Sequence, residues 1–166
     1  MSEKVGSKDM DKEVEIGRRL MNAEGFLYAA NCLRDSISKD GTMLGIYGPA
    51  YTANLAFACE LYLKQLYIIE NKDAWGHELK KLFEDLDEND KQKIIKEYEN
   101  RCNIFSINSN VEVRTVESLL EDYDTAFEDW RYWFEGGKTS KHLGWCDFHA
   151  FIDVIRDMVM EFEDSL

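Results

Sequence analysis

The sequence predicts an all-α fold, a mostly antiparallel bundle of five to six helices, from three observations. A single proline against ten glycines in 166 residues favours long helices over many turns. Apolar residues recur at spacings of three and four through most of the chain, the period of a helix with one buried face. From Ala53 to Ile69 nearly every position is apolar, the exceptions being Asn54, Glu60, Lys64 and Gln65. A helix that is apolar almost all round belongs in the middle of a bundle. Charge interrupts it too often for a bilayer span, which needs about 20 predominantly apolar residues, so no membrane partner is expected.

Taken in order, residues 1–10 are polar and are expected to fray, within a single domain over 1–166. Ile16, Leu20, Ala23, Leu27, Ala30, Cys32, Leu33 and Ile37 then mark a first amphipathic helix over 12–38. Asp40, Gly41, Gly45, Gly48 and Pro49 predict a loop of about ten residues. Pro49 fits the first turn of the next helix, where its missing N–H costs nothing. That central helix ends near Asn71. After a turn at Lys72-Asp73, Leu79, Leu82, Phe83 and Leu86 line one face of a short helix over 78–86. Asp87 to Asp90 caps a fourth helix, which runs to about Arg101 with Ile94, Ile95 and Tyr98 inward. Asn103, Asn108, Ser109 and Asn110 are turn formers and predict a long loop over 102–115. The fifth helix, 116–135, buries Leu119, Leu120, Tyr123, Ala126, Phe127, Trp130 and Phe134 and stops at Gly136-Gly137. The last helix, 147–163, buries Phe148, Phe151, Ile152, Ile155, Met158, Val159 and Phe162.

Charge narrows the function classes. A net charge of −13 and a pI near 4.6 repel nucleic acid at long range, so no DNA is expected and RNA only at a local basic site. The four cysteines, Cys32, Cys59, Cys102 and Cys146, form no CxxC pair. They read as reduced thiols of a cytoplasmic protein. The N-terminal residues carry no apolar run and hence no signal peptide.

Chemistry points first to the polar residues of the central helix. Glu60 and Lys64 are four apart, share a face and can pair. His77 follows the next turn and comes back toward that helix. Arg131 and Glu135 are likewise four apart on the fifth helix. Together these five have the parts of a general acid/base site: an imidazole, a carboxylate to orient it and a cation for developing negative charge. They also have the parts of a salt-bridge network that only fixes helix register.

The stretch NLAFACELYLKQLYIIENKDAWGHELKKLF, with its ELxLK core and GH-[DE]-L-x-x-L-[FY] continuation, and the downstream WRYWFE resemble one branch of the HEPN superfamily. The match covers Gly48 to Leu86 well and Phe127 to Glu135 loosely. These are small all-helical prokaryotic domains, often encoded in toxin–antitoxin and other defence loci. Active members cleave RNA without metal, usually as dimers, through an R-x(4–6)-H motif. Here no arginine lies four to six residues ahead of any of the three histidines. The pair nearest to it is Arg131 and His142, with ten residues and two glycines between. The resemblance therefore implies Glu60, Lys64, His77, Arg131 and Glu135 as branch-typical polar residues without an assigned role. It implies a scaffold used for interaction or regulation, as a homodimer or with a cognate protein. The alternative is a nuclease built on His77 and Arg131, and a third reading is a nucleotide or small-ligand bundle using the same cleft.

Three further groups have side chains with the potential for chemistry. His142, Cys146, His149 and Asp153 include ligand types that suit zinc, but their spacing is looser than zinc sites show, and a helix surface explains them more simply. Lys138, Lys141 and His142 with Arg131 make a small basic island for a phosphate, although such loops are usually solvated connectors. No Walker or GxGxxG pattern is present, and no cofactor is expected. Trp130, Tyr132, Trp133 and Trp145 have the chemistry to stack bases, yet aromatics at helical spacing are more often core.

Overall fold

The computed structural model describes residues 3–109, 113–124 and 145–163, with side chains described over 17–103, 113–124 and 147–162. Among these residues the chain is all-α and contains no strand. The order is α1 (Glu3–Lys39), a 3-10 turn (Gly41–Met43), α2 (Leu44–Ile69), α3 (Leu79–Glu84), α4 (Glu88–Ser109), α5 (Val116–Tyr123) and α6 (Trp145–Glu163). No described helix is long and apolar enough to cross a membrane.

The first two helices pack along each other as an antiparallel hairpin. Tyr62 of α2 donates to Glu24 of α1, and Phe57 meets Phe26 edge-on at 4.5 Å, so the register runs in opposite directions. Ala23, Leu27 and Ala30 turn inward. Cys32, assigned above to the same face, is instead exposed: it lies on the far side of the cylinder from Ala23 and Ala30. Helix α1 begins at Glu3, so the backbone of the polar start of the chain is helical from there.

The loop expected between α1 and α2 is much shorter than predicted. Asp40 caps the 3-10 turn by accepting from the Thr42 N–H at 3.0 Å and its hydroxyl at 2.6 Å. The chain then enters α2 at Leu44, so Gly45, Gly48 and Pro49 are all helical. Pro49 therefore sits inside the helix, not in its first turn. It removes the bond to the Gly45 carbonyl.

From Tyr51 to Ile69 no position of α2 is exposed, which establishes it as the central helix. It ends in a Schellman motif, the Lys72 N–H reaching the Tyr67 carbonyl at 2.7 Å and the Asn71 N–H reaching Ile68 at 3.0 Å. Asn71 supplies the left-handed residue, with φ of 57°, a conformation asparagine tolerates better than most side chains. Lys72 then bridges Glu70 (2.7 Å) and Asp87 (2.6 Å), fastening the end of α2 to the start of α4.

Helix α4 runs to Ser109, two turns past Arg101, so most of the loop expected over 102–115 is helix. Asparagine and serine at 103, 106 and 108–110 are weak helix formers, and the packed face before them carries the helix on. The backbone before α5 is held by the Tyr98 hydroxyl, which donates to the Arg114 carbonyl at 3.0 Å. Thr115 caps α5, accepting from the Ser118 N–H at 3.2 Å. Of the fifth helix, the residues beyond Asp124 lie outside the described ones. This covers Ala126, Phe127, Trp130, Tyr132, Trp133, Phe134 and the Gly136-Gly137 stop.

Helix α6 closes the core. Phe148 stacks on Tyr123 at 3.7 Å, and Phe151 meets Phe83 and Tyr98 edge-on. It runs antiparallel to α4, as Lys93–Glu161 and Arg101–Asp157 show. Against α2 it runs in the same direction, with Tyr51 beside His149 and Tyr62 level with Arg156 through their shared partner Glu24.

Candidate functional site

The polar cluster predicted on α2 is present in its first three members. Glu60 is only 2% exposed, on the most buried helix of the molecule. Its Oε1 accepts from Lys64 Nζ at 2.7 Å, one turn along the same face, and from His77 Nδ1 at 2.9 Å. Its Oε2 is buried without a hydrogen-bond partner among the described residues. His77 arrives because the Schellman turn reverses the chain and Gly76, with φ of 87°, permits a second sharp change of direction. Lys64 is 13% exposed and His77 66% exposed, so the cluster grades from a buried anion to a surface imidazole.

This arrangement has a defined chemical sense. A carboxylate paired with an ammonium offers only acceptors. Nδ1 of His77 is therefore the donor to Glu60, and Nε2 lies on the opposite edge of a ring that is open to solvent. That edge can hydrogen-bond a ligand. Trp75, two residues before it on the same turn, is 83% exposed. Beside Glu60, burial drives the Cys59 thiol well up, and a thiol so protonated and enclosed is a packing group, not a nucleophile.

Arg131, Glu135, Lys138, Lys141 and His142 lie outside the described residues, as does the side chain of Cys146. Of the group with zinc-like ligand types, His149 turns inward, its ring 5.7 Å from that of Tyr51, while Asp153 reaches solvent one turn on. Among the described residues no three His, Cys, Asp or Glu side chains gather around a metal position.

Two ionic junctions escaped the sequence reading. Glu24, Tyr62 and Arg156 join α1, α2 and α6, with Tyr62 donating at 2.6 Å and Arg156 Nη2 at 3.0 Å. Burial pushes the Glu24 carboxyl up, but the Arg156 and Tyr62 hydrogen bonds outweigh it and hold the group below its usual range. Arg114 binds Asp122 on α5 and, through Nε at 3.3 Å, Asp147 on α6. The sequence signal for the first is slight: Glu24 is the one charge between Met21 and Ala30, whereas Arg156 stands beside Asp157. A groove of about 180 Å³ between α3, α4 and α5 is lined by Lys80, Lys91, Glu84, Glu88 and Glu117; Lys91 pairs there with Glu88 at 2.9 Å, while Lys80 reaches Glu121 at 2.8 Å.

Comparisons of the chain with family models, with curated proteins and with solved structures found no match.

Proposed function

We propose that this chain is a HEPN-like interaction or regulatory module of a prokaryotic defence or toxin–antitoxin-type system. It acts in the cytoplasm as a homodimer or as one half of a complex with a cognate protein, without the standard R-x(4–6)-H nuclease. The observation that carries this reading is apolar surface on the first helical hairpin. Met21 and Tyr28 are 75% and 73% exposed on α1, and Leu44 and Ile46 are exposed where α2 begins. Exposed large apolar groups on both helices of one hairpin suit a surface that a partner covers. The reading is tested by thermal unfolding of the purified protein, alone at rising concentration and with the product of the adjacent gene. A midpoint that climbs with partner or with protein concentration, without turnover of RNA, supports it. A midpoint indifferent to both sinks it.

A second reading, a metal-independent endoribonuclease using His77 and Arg131, is favoured by the Glu60–His77 hydrogen bond, which orients an exposed imidazole against a buried carboxylate. RNA cleavage in excess EDTA, lost in His77→Ala and Arg131→Ala with the thermal midpoint retained, supports this reading. The absence of cleavage across several RNAs removes it.

A further inference from the structure

Trp75 is the most exposed of the large apolar side chains among the described residues, at 83%, and it stands on a turn held from both sides. Before it, Lys72 Nζ lies 2.7 Å from Glu70 and 2.6 Å from Asp87. After it, Gly76 takes a φ of 87° and His77 Nδ1 donates to the buried Glu60 at 2.9 Å. Between the two anchors Ala74 packs against the core. An indole on a turn fixed in this way gives up little further freedom when something binds to it.

The charges about the indole are of one sign. Asp73 and Glu78 are exposed. Glu78 stands at the N-cap of α3 without making a side-chain cap bond, and neither carboxylate meets a cation among the described residues. Lys72, the one lysine or arginine from Glu70 to Leu79, is already engaged by Glu70 and Asp87. The turn therefore offers an aromatic face and two carboxylates, and no cation of its own for a ligand.

Resting on the interaction-module reading above, we propose that this turn is the docking point for an arginine-bearing basic segment of a partner protein, its guanidinium stacked on Trp75 and paired with Asp73 or Glu78.

Arginine is singled out because it alone uses both features at once. A guanidinium lies flat on an indole, and its N–H groups then point outward in the plane of the stack, toward a carboxylate beside the ring. Asp73 and Glu78 are two and three residues from Trp75, at most about 7 and about 11 Å along the backbone, within the reach of their side chains. A lysine ammonium is a compact, strongly hydrated charge and gains less from the ring. A phosphate-bearing ligand finds no available cation on the turn and is repelled by a net charge of −13. That same charge draws a basic segment in and speeds its encounter.

Calorimetric titration of the full chain at about 150 mM sodium chloride, where long-range attraction is screened beyond about 8 Å, tests this with three probes: an arginine homopeptide, a lysine homopeptide of equal length and an oligouridylate. The wild type is expected to bind the arginine peptide most tightly. Trp75→Leu keeps an apolar side chain and removes the ring, and is expected to weaken arginine binding about three- to fivefold and to narrow the gap between the two peptides. Asp73→Asn with Glu78→Gln is expected to weaken it as well. All three positions are exposed, so both variants keep the wild-type thermal midpoint, which is measured alongside. Equal affinity of wild type and Trp75→Leu for the arginine peptide overturns the inference, because acidic surface alone then accounts for binding. A wild type that binds no peptide, or that prefers the oligouridylate, overturns it too. Any of these results leaves the interaction-module reading to its own test with the cognate protein, whose failure in turn does not alter the peptide titration.

Discussion

Glu60 holds two donors on one oxygen inside the most buried helix, and the three side chains of that cluster are not equal in weight. Removing Lys64 leaves a buried carboxylate with only the surface imidazole for company, so Lys64→Ala is expected to cost about 2–4 kcal/mol in urea unfolding. His77→Ala removes a group that is two-thirds exposed and is expected to cost under about 1 kcal/mol. A reversed order would show that the loop, not the ion pair, anchors the cluster. His149 gives a second test. Burial first, and the Arg34 charge second, lower its pKa to about 4 from 6.5. The folded state then binds fewer protons than the unfolded chain, so stability is full above pH 6.5 and falls as pH drops toward 4. Asp153, one turn on, is raised, chiefly by desolvation, and works with the opposite sign. His149→Gln isolates the histidine: relative to this variant, the wild type is expected to lose about 1–2 kcal/mol more between pH 7 and pH 5. Equal losses would place the imidazole in contact with water.

Helix α2 contains the least comfortable residue of the fold. Pro49 interrupts a hydrogen-bond ladder that begins at Leu44, and Pro49→Ala is expected to raise stability by about 1–2 kcal/mol in the same unfolding experiment. A loss instead would show that Pro49 is needed to seat Tyr51 and Thr52 in the core. The elements also show what was legible in the chain. The centrality of α2 was, because Ala53 to Ile69 leaves no solvated stripe. The inward faces of α3, α5 and α6 followed from spacing alone. Glycines 45 and 48 with Pro49 read as a loop because local propensity ignores the packing of Gly48 and Tyr51 against the bundle. The asparagines after Arg101 misled for the same reason. In the site, Glu60–Lys64 follows from helical spacing, and His77 from a turn short enough to bring the chain back. Glu24–Arg156 and Arg114–Asp147 depend on how distant helices are rotated, which no local pattern records.

The molecule as a whole carries 33 acidic against 20 basic residues. The compact state concentrates that excess, and salt screens it over a Debye length of about 8–10 Å at ordinary ionic strength. The thermal midpoint is therefore expected to rise by several degrees between about 20 mM and 500 mM sodium chloride. A midpoint that falls would mean that attractive pairs such as Arg101–Asp157 and Lys93–Glu161 outweigh the net repulsion.

The Glu24–Arg156 pair bridges 132 positions of sequence. During synthesis the α1–α2 hairpin has its own local contacts and can form early, but one flank of α2 has no cover until residues near 156 have left the ribosome. For all of that interval the most apolar helix of the protein stands open to chaperones, proteases and its own neighbours on a polysome.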